Sequence, residues 1–292
     1  MNAGQGNGWR ARVAALVISG LMASTAWAAD PPAWTAATEP FQIVDNVYYV
    51  GSQGLAAYLI VSRQGAILLD ATLAENAGQI ERNIEAVGVP LRDVRLLINN
   101  HAHADHVGAL AQLQRDTGAR VLASAGDRWA LENGRNQGDT NYGVQPFAPI
   151  SVDQEVADGQ TIQLGEVELT AHLTPGHTRG CTSWSMTVND RGTPRPLLFL
   201  CSITVAGNTL VGNKGYPAIA GDFEATFAKL AGMKADIVLS GHPEMTDVFG
   251  RQQRRQAGDA NAFVEPGLLQ TMVSDYRLRF EQQLEKDSSV VR

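Results

Sequence analysis

The sequence predicts an α/β fold in which helices flank a central β-sandwich. In each half of the chain, short apolar segments come first, a helical segment follows, and the half returns to a strand that ends in a histidine-containing loop. Because sheets bury their apolar faces against each other or against helices, this order favours strands at the centre and helices outside. No repeat is visible at residue level, and 292 residues are enough for one large domain or two small ones.

Short apolar runs separated by turn residues predict the first strands. Asp-Asn, Gly-Ser-Gln-Gly and Arg-Gln-Gly interrupt the region between residues 41 and 70, and this spacing is typical of a β-meander. The predicted strands are 41–44, 47–50, 55–61 and 66–70. Residues 73–87 have helical spacing and stop at Gly88-Val89-Pro90. Residues 94–98 form a short apolar run that predicts a buried strand.

The remaining elements surround one long irregular stretch. Residues 106–117 have helical spacing, whereas residues 133–156 are rich in Gly, Asn and Pro, which is often a sign of a lid or binding loop. Trp129, Tyr142 and Phe147 near or within this stretch could contact a ligand or could be packing anchors. The other predicted elements are strands at 120–123, 161–164, 167–173, 182–188, 197–200 and 237–239, and helices at 125–132, 222–231 and 266–284.

The run over 94–98 leads directly into Asn99-Asn100-His101-Ala102-His103-Ala104-Asp105-His106. On an extended segment His101 and His103 point to the same side, and after a turn Asp105 and His106 can face a second position. Zinc accepts imidazole and carboxylate ligands, so two adjacent positions indicate a two-metal hydrolase. Asp105 could instead be only a helix N-cap, and the histidines could line a solvated loop. Three histidines with an aspartate at this spacing favour the metal site.

Two further histidines follow predicted strands. His177 follows the tight turn Pro175-Gly176, and His242 follows the buried strand near residue 239 through Ser240-Gly241. Each motif alone is weak, but together with the first they strengthen the prediction of a metal site. His172 lies within a predicted hairpin strand, and we expect it to be structural.

The N-terminal residues and the charge restrict location and partners. Arg10 and Arg12 precede the apolar stretch 13–23, and Ala26-Trp27-Ala28 matches a small-x-small cleavage pattern, which predicts a signal peptide over residues 1–28. A buried core helix is the alternative, and the stretch is shorter than the roughly 20 residues that span a bilayer. The formal net charge is −7 with no basic run, which disfavours nucleic acid and anionic membranes as partners. Two cysteines in an oxidising compartment allow one disulfide.

His101-Ala-His103-Ala-Asp105-His106, with His177 and His242 at these intervals, resembles the metallo-β-lactamase superfamily. Two further motifs narrow the resemblance to the third subclass of class B metallo-β-lactamases: Thr174-Pro-Gly-His-Thr-Arg-Gly and Ser202-Ile-Thr204-Val-Ala-Gly-Asn208. The resemblance implies a four-layer αβ/βα sandwich and a single domain over residues 29–292. It also implies an enzyme that hydrolyses the β-lactam amide of antibiotics. From the predicted signal peptide we expect a periplasmic protein, and we expect it to be a monomer.

The resemblance also implies roles for individual residues. Two Zn²⁺ ions bridged by a hydroxide are expected per chain, the first held by His101, His103 and His177 and the second by Asp105, His106 and His242. Asp105 would also be catalytic, since it would orient the hydroxide and could pass a proton to the leaving nitrogen. Ser202 and Thr204 match the hydroxyl positions that contact the substrate carboxylate, although Thr204 departs from the commoner serine.

The implied fold also suggests a role for the cysteines. If it holds, Cys181 and Cys201 border the same pocket and could come within the ~4.4–6.8 Å between Cα atoms that a disulfide allows. A thiolate of Cys201 on the second zinc is the alternative. We expect the disulfide, because three other side chains already supply that zinc site and the predicted compartment is oxidising.

Other functions within the superfamily are less consistent with the sequence. Glyoxalase-II-type thioesterases, lactonases and nucleases generally use a further metal-bridging aspartate after the late strand, and residues 200–204 contain no acid. An iron-dependent oxidase would be expected to have a glutamate among its ligands. A non-enzymatic zinc-binding protein would need a closed metal site. A β-lactamase is therefore the preferred prediction, with a glyoxalase-II-like thioesterase or lactonase as the alternative.

Overall fold

The structure is a computed structural model that describes Met1 and residues 30–140 and 145–290. Apart from Met1, the predicted signal peptide over residues 1–28 lies outside the described residues, as does Tyr142. Within the described ranges the chain forms two β-sheets with helices on their outer faces.

The first sheet has seven strands, which are hydrogen-bonded in chain order. They are β1 Phe41–Val44, β2 Val47–Tyr49, β3 Tyr58–Ser62, β4 Gly65–Leu69, β5 Val94–Ile98, β6 Arg120–Ser124 and β7 Gln154–Val156. The first four strands form the antiparallel meander that the turn spacing predicts, and β4 to β7 are parallel. The carboxyl ends of β4, β5 and β6 therefore meet at one edge of the sheet.

The second sheet has five strands in the order β12-β11-β10-β9-β8. They are β8 Thr161–Leu164, β9 Val167–Leu173, β10 Thr182–Asp190, β11 Thr193–Leu200 and β12 Ile237–Ser240. Strands β11 and β12 are parallel, with Leu200 opposite Ser240, and the other neighbouring pairs are antiparallel. The end of β9, the start of β10 and the ends of β11 and β12 consequently lie together at one edge.

The helices complete the outer layers. They are α1 Ala77–Ala86, α2 Ala104–Val107, α3 Leu110–Thr117, α4 Ala125–Asn133, α5 Ile219–Ala231, α6 Val248–Gln256 and α7 Leu268–Val290. No helix within the described ranges is long and apolar enough to cross a membrane.

Three apolar clusters define four layers. Between the sheets, inward residues such as Ile98 and Leu69 pack with Trp184 and Phe199. The outer face of the first sheet packs against α1 and α3, and the outer face of the second packs against α5 and α7. On β5, Leu96 and Ile98 face the cluster between the sheets and Leu97 faces the outer cluster, because successive side chains of a strand point to opposite faces. The predicted αβ/βα sandwich is confirmed.

One predicted helix is interrupted. The helix predicted over residues 106–117 is divided into α2 and α3, because the His106 carbonyl accepts a hydrogen bond from Ala71 N–H at 2.7 Å instead of continuing the helical ladder. Asp105 is not the N-cap of this segment, since His103 occupies that position and Asp105 lies in the first turn of α2. The N-cap interpretation of Asp105 is therefore wrong.

Two elements were not predicted from the sequence. Strand β7 lies within the stretch predicted as a loop and has only three residues, which is too short for an alternating pattern to be recognised. Helix α6 is mostly polar, with Val248 and Arg251 buried. Within the predicted lid, Phe147 is a packing anchor, because its side chain is buried in the cluster that includes α3, whereas Trp129 is 41% exposed.

The packing of α7 against α5 gives a test of the outer layer. Phe280 is 1% exposed and its ring centroid lies 5.2 Å from that of Phe223. Phe280→Ala should lower the free energy of unfolding by about 3–5 kcal/mol, because it leaves a cavity among aromatic rings. The matched control is Leu278→Ala on the same helix, where the side chain is 56% exposed. It should change the value by no more than about 0.5 kcal/mol. Urea denaturation measures both, and equal losses would contradict the packing described.

Candidate metal centre

Three histidines from two loops form the first ligand group. His101 and His103 follow β5, and His177 lies in the loop between β9 and β10. The ring centroid of His101 lies 4.8 Å from that of His103 and 4.5 Å from that of His177. One nitrogen from each of the three rings lies within 4.8 Å of the other two, and all three side chains are buried. The two strand ends that the sequence predicts to carry ligands are thus adjacent.

The second group surrounds Asp105. Its Oδ2 lies 3.5 Å from His106 Nε2 and 3.2 Å from His242 Nε2. His242 is far from Asp105 in the sequence and lies in the loop after β12. The ring centroids of His101 and His106 lie 3.9 Å apart, so the two groups adjoin. All six residues predicted as ligands are brought together, and their assignment to particular ions stays a prediction.

His172 lies apart from both groups. It is on β9, half-buried, and its Nε2 forms a hydrogen bond with Ser185 Oγ at 2.7 Å. This contact is consistent with the structural role predicted for it.

The hydrogen bonds around the histidines fit a bound metal. His106 Nδ1 donates to Asp70 Oδ2 at 2.9 Å, and His177 Nδ1 donates to the Thr204 carbonyl at 2.9 Å. Within the described part of the chain, the buried His106 Nε2 makes no hydrogen bond. Metal-ligating histidines usually donate their other ring N–H to a carboxylate or a carbonyl. The arrangement therefore supplies both the outer partners and a nitrogen directed at the cluster.

The electrostatics of the first group favour neutral rings. Burial, with the other histidines nearby, lowers the pKa of His103 to about 4 and that of His177 to about 3. Burial also holds the pKa of His101 well below its usual value. All three are therefore unprotonated near neutral pH, which is the form that binds metal ions.

The second group behaves differently because carboxylates are part of it. Burial opposes the charged form of His106, but Asp105 and Asp70 outweigh it and raise its pKa to about 8. Burial likewise opposes ionisation of Asp105, yet His106 and His242 hold its pKa well below its usual range. Asp105 is therefore a carboxylate at neutral pH.

Asp70 is a site residue that the sequence analysis did not single out. It follows β4, has a positive φ of 62°, and its Oδ1 accepts the Asn100 N–H at 2.7 Å while Oδ2 accepts from His106. Gly241 leaves room for this contact, because a Cβ there would lie 2.3 Å from His106 Cε1. The sequence feature that could have identified Asp70 is an acidic residue at the end of a buried strand, Ala-Ile-Leu-Leu-Asp, beside the strand that leads to His101.

Other side chains border the cluster. The Trp34 ring centroid lies 5.7 Å from that of His242, and Asn136 Oδ1 lies 3.1 Å from His103 Nε2. Ser202 Oγ and Thr204 Oγ1 are 2.9 Å apart, and Thr204 Oγ1 lies 3.3 Å from His177 Nδ1. Both hydroxyls predicted to bind substrate are thus beside the first ligand group.

Cys181 and Cys201 form a disulfide with their Cα atoms 5.9 Å apart. Cys201 Sγ lies 3.7 Å from His101 Nδ1, so the bond lies directly behind the first ligand group. As part of a disulfide, Cys201 is not a thiolate ligand.

Comparisons with known proteins give a family match and several similar solved structures. The family described as the metallo-beta-lactamase superfamily matches residues 54–242. The chain is 42% identical to BJP-1, a subclass B3 metallo-beta-lactamase of Bradyrhizobium japonicum, with a TM-score of 0.85, covering 89% of this chain and 99% of that one. It is 33% identical to FEZ-1 from Legionella gormanii, with a TM-score of 0.82, covering 87% and 98% of the two chains.

The chain also matches a curated hydrolase over a shorter segment. Over 105 residues the chain is 36% identical to a hydroxyacylglutathione hydrolase of Bradyrhizobium sp. (strain BTAi1 / ATCC BAA-1182), which covers 36% of this chain. The match spans about a third of the length of that relative, 33%.

The histidine assignment is tested by removing one side chain from the cluster and one outside it. His101→Ala removes a predicted metal ligand and should reduce the zinc content of the protein. It should also lower kcat/KM by more than roughly 10–100-fold, which is the loss usually caused by removing an outer hydrogen-bond partner of a metal ligand. His172→Ala is the control and should leave both nearly unchanged. Elemental analysis of dialysed protein and initial rates measure the two effects. Equal losses in both variants would show that the cluster has been misassigned.

The disulfide gives a stability prediction. Its cysteines are separated by 20 residues, and reduction should lower the free energy of unfolding by roughly 3 kcal/mol on the chain-entropy model. The Cys181→Ala/Cys201→Ala variant should be insensitive to reductant. Denaturant unfolding with and without reductant measures the change. Two reactive thiols in unreduced, denatured protein would contradict the bond.

Proposed function

Because the chain belongs to the metallo-β-lactamase superfamily and, within it, to subclass B3, we propose that it hydrolyses the amide bond of β-lactam antibiotics with two zinc ions. The observation that carries this proposal is the pair of adjoining ligand groups, one of three histidines and one of Asp105, His106 and His242. Neither group includes a free thiolate, since both cysteines are in the disulfide. The identity to subclass B3 enzymes over nearly their whole length supports the same activity.

The two groups supply suitable ligands for two ions. His101, His103 and His177 would hold one zinc, and Asp105, His106 and His242 would hold the other. Zinc lowers the pKa of a bound water to about 7 and polarises a carbonyl, which provides a nucleophile at neutral pH. The chain contributes the placement of the ligands, through Asp70 on His106 and the Thr204 carbonyl on His177.

Asp105 would accept a proton from the attacking water and transfer it to the departing nitrogen. Its carboxylate is ionised and half-buried, with Oδ2 facing His106 and His242. It can accept a hydrogen bond from the attacking water and so orient it toward the β-lactam carbonyl carbon. The C–N bond then breaks, and the proton from the water, carried by Asp105, passes to the departing nitrogen. The products are a carboxylate and a secondary amine.

The hydroxyls of Ser202 and Thr204 would bind the substrate carboxylate. They lie 2.9 Å apart beside His177, on the loop that follows β11. Two hydroxyl donors at this separation can both reach one carboxylate group. This placement would fix the β-lactam ring over the ligand groups.

A glyoxalase-II-like thioesterase is the second candidate. The partial match to hydroxyacylglutathione hydrolases favours it. The loop after β11, Cys201-Ser202-Ile203-Thr204, provides no acid that could bridge two metal ions, and we therefore place this activity second.

The proposed location is the periplasm. We assign residues 1–28 as the signal peptide from their basic start, apolar stretch and small-x-small motif. The disulfide supports export, because such bonds persist in oxidising compartments.

The reaction is tested with purified, zinc-loaded protein on nitrocefin, a penicillin and an acyl-glutathione. We expect hydrolysis of the first two, loss of this activity on chelation, and recovery on addition of zinc, because the nucleophile depends on the metal. Serine-directed inhibitors should have no effect. A protein that cleaves the thioester and leaves every β-lactam intact would favour the second candidate.

The substrate-binding hydroxyls are tested by Ser202→Ala/Thr204→Val. Losing hydrogen bonds to the substrate carboxylate should weaken the free energy of substrate binding by about 1.5–3 kcal/mol. KM should therefore rise roughly tenfold or more, while kcat changes less. Thr187→Val, at an exposed position on β10, is the matched control and should leave KM unchanged. Steady-state kinetics with a penicillin measures both, and an unchanged KM in the double variant would exclude these hydroxyls from binding.

A further inference from the structure

Asp127 joins the two loops that carry the first ligand group. It lies in the first turn of α4, outside both ligand groups, and is 1% exposed. Its Oδ2 accepts the Ala102 N–H at 2.9 Å, and its Oδ1 accepts the Gly180 N–H at 3.0 Å. Ala102 lies between His101 and His103, and Gly180 is in the loop that carries His177. One carboxylate therefore binds the backbone on both sides of the site.

The same turn of α4 packs closely against the His177 loop. Ser124 Oγ donates to the Gly180 carbonyl at 2.6 Å, so both backbone groups of Gly180 are bound by α4 and the residue before it. A Cβ on Gly180 would lie 2.2 Å from Asp127 N and 2.3 Å from Ser124 Oγ. Only glycine allows this approach, and the loop consequently has little freedom to move relative to α4.

The buried carboxylate is costly to the fold. A buried charge usually needs a charged partner, and no cation among residues 30–140 and 145–290 forms an ion pair with Asp127. Burial accordingly raises the pKa of Asp127 to about 6, against hydrogen-bond donors that lower it, first the Thr178 side chain and then Gly180 and Ala102 N–H. The compensation comes from donors of both ligand loops, Thr178 and Gly180 on one side and Ala102 and Asn99 on the other, and these contacts would be lost if the loops moved apart.

We propose that Asp127 is a positioning residue that holds His101, His103 and His177 at the separation a metal ion requires. The inference rests on the proposed function, because it takes these three histidines as the ligands of the first zinc. An asparagine in its place would have one acceptor oxygen for two N–H donors, and its NH₂ group would face the second donor. The side-chain volume would be kept, but one loop would be released.

The test is zinc binding by Asp127→Asn, measured without substrate. Zinc affinity is obtained by competition with a chromogenic chelator, and ligand geometry from the visible spectrum of the Co²⁺-substituted protein. We expect the affinity for one of the two ions to fall 10–100-fold, the range found for outer partners of metal ligands, with a changed spectrum. Asp153→Asn is the matched control, since Asp153 Oδ2 also accepts a backbone N–H, that of Val121, at 2.7 Å. It should retain the wild-type affinity and spectrum.

The outcomes separate a positioning role from a general effect on folding. A folded Asp127→Asn with wild-type zinc affinity and Co²⁺ spectrum would overturn the proposal. If this variant does not fold, Asp127→Glu replaces it, because it keeps both acceptor oxygens but displaces them by one methylene group. A threefold or greater loss of zinc affinity then supports the proposal, and a smaller change overturns it. Wild-type protein that binds zinc but hydrolyses no β-lactam would refute the proposed function and leave this comparison valid.

Discussion

The cost of burying ionisable side chains at one edge of the two sheets determines how the rest of the site is built. Four histidines of the cluster are buried, and Asp105 and His242 are half-buried at its opening. Charged groups in such a position are unfavourable unless each has a partner. The first group avoids the cost because its rings are neutral near neutral pH. The second group offsets the cost of burial by placing His106 between two carboxylates, Asp70 and Asp105.

This solution requires precise backbone positions, and the loops are bound to each other as well as to the sheets. Thr182 N–H donates to the Asn100 carbonyl at 2.8 Å, and Ala56 N–H donates to the Gly241 carbonyl at 2.8 Å. The disulfide adds a covalent connection between the loop of His177 and the loop of Ser202. Loops are usually the mobile parts of a domain. Here the loops and the short helix α2 carry all six predicted ligands, and the hydrogen bonds between these segments restrain them relative to one another.

The sequence predicted the parts of the site that depend on local order and missed those that depend on contacts distant in sequence. Strand β5 was predicted at its observed bounds, and the His101–His106 spacing identified the cluster because both ligand groups draw on that segment. Asp70 and Asp127 were missed because their partners are distant in the sequence. Asp70 accepts a hydrogen bond from a backbone N–H 30 residues away and Asp127 from one 25 residues away, and no local pattern reveals such contacts. The break between α2 and α3 was missed for the same reason: it depends on the Ala71 N–H, which comes from the end of β4.

The position of Cys201 explains why the disulfide matters for the chemistry as well as for stability. Its Sγ lies 3.7 Å from His101 Nδ1, so a free thiolate there would place a negative charge directly against that ring. Thiolates are softer ligands than imidazole and would add negative charge to the first group, which otherwise consists of neutral rings. Bonding to Cys181 removes that charge and leaves a sulfur that packs behind His101. The disulfide thus keeps a negative charge away from His101, which favours the neutral form of the ring, the form that binds metal ions.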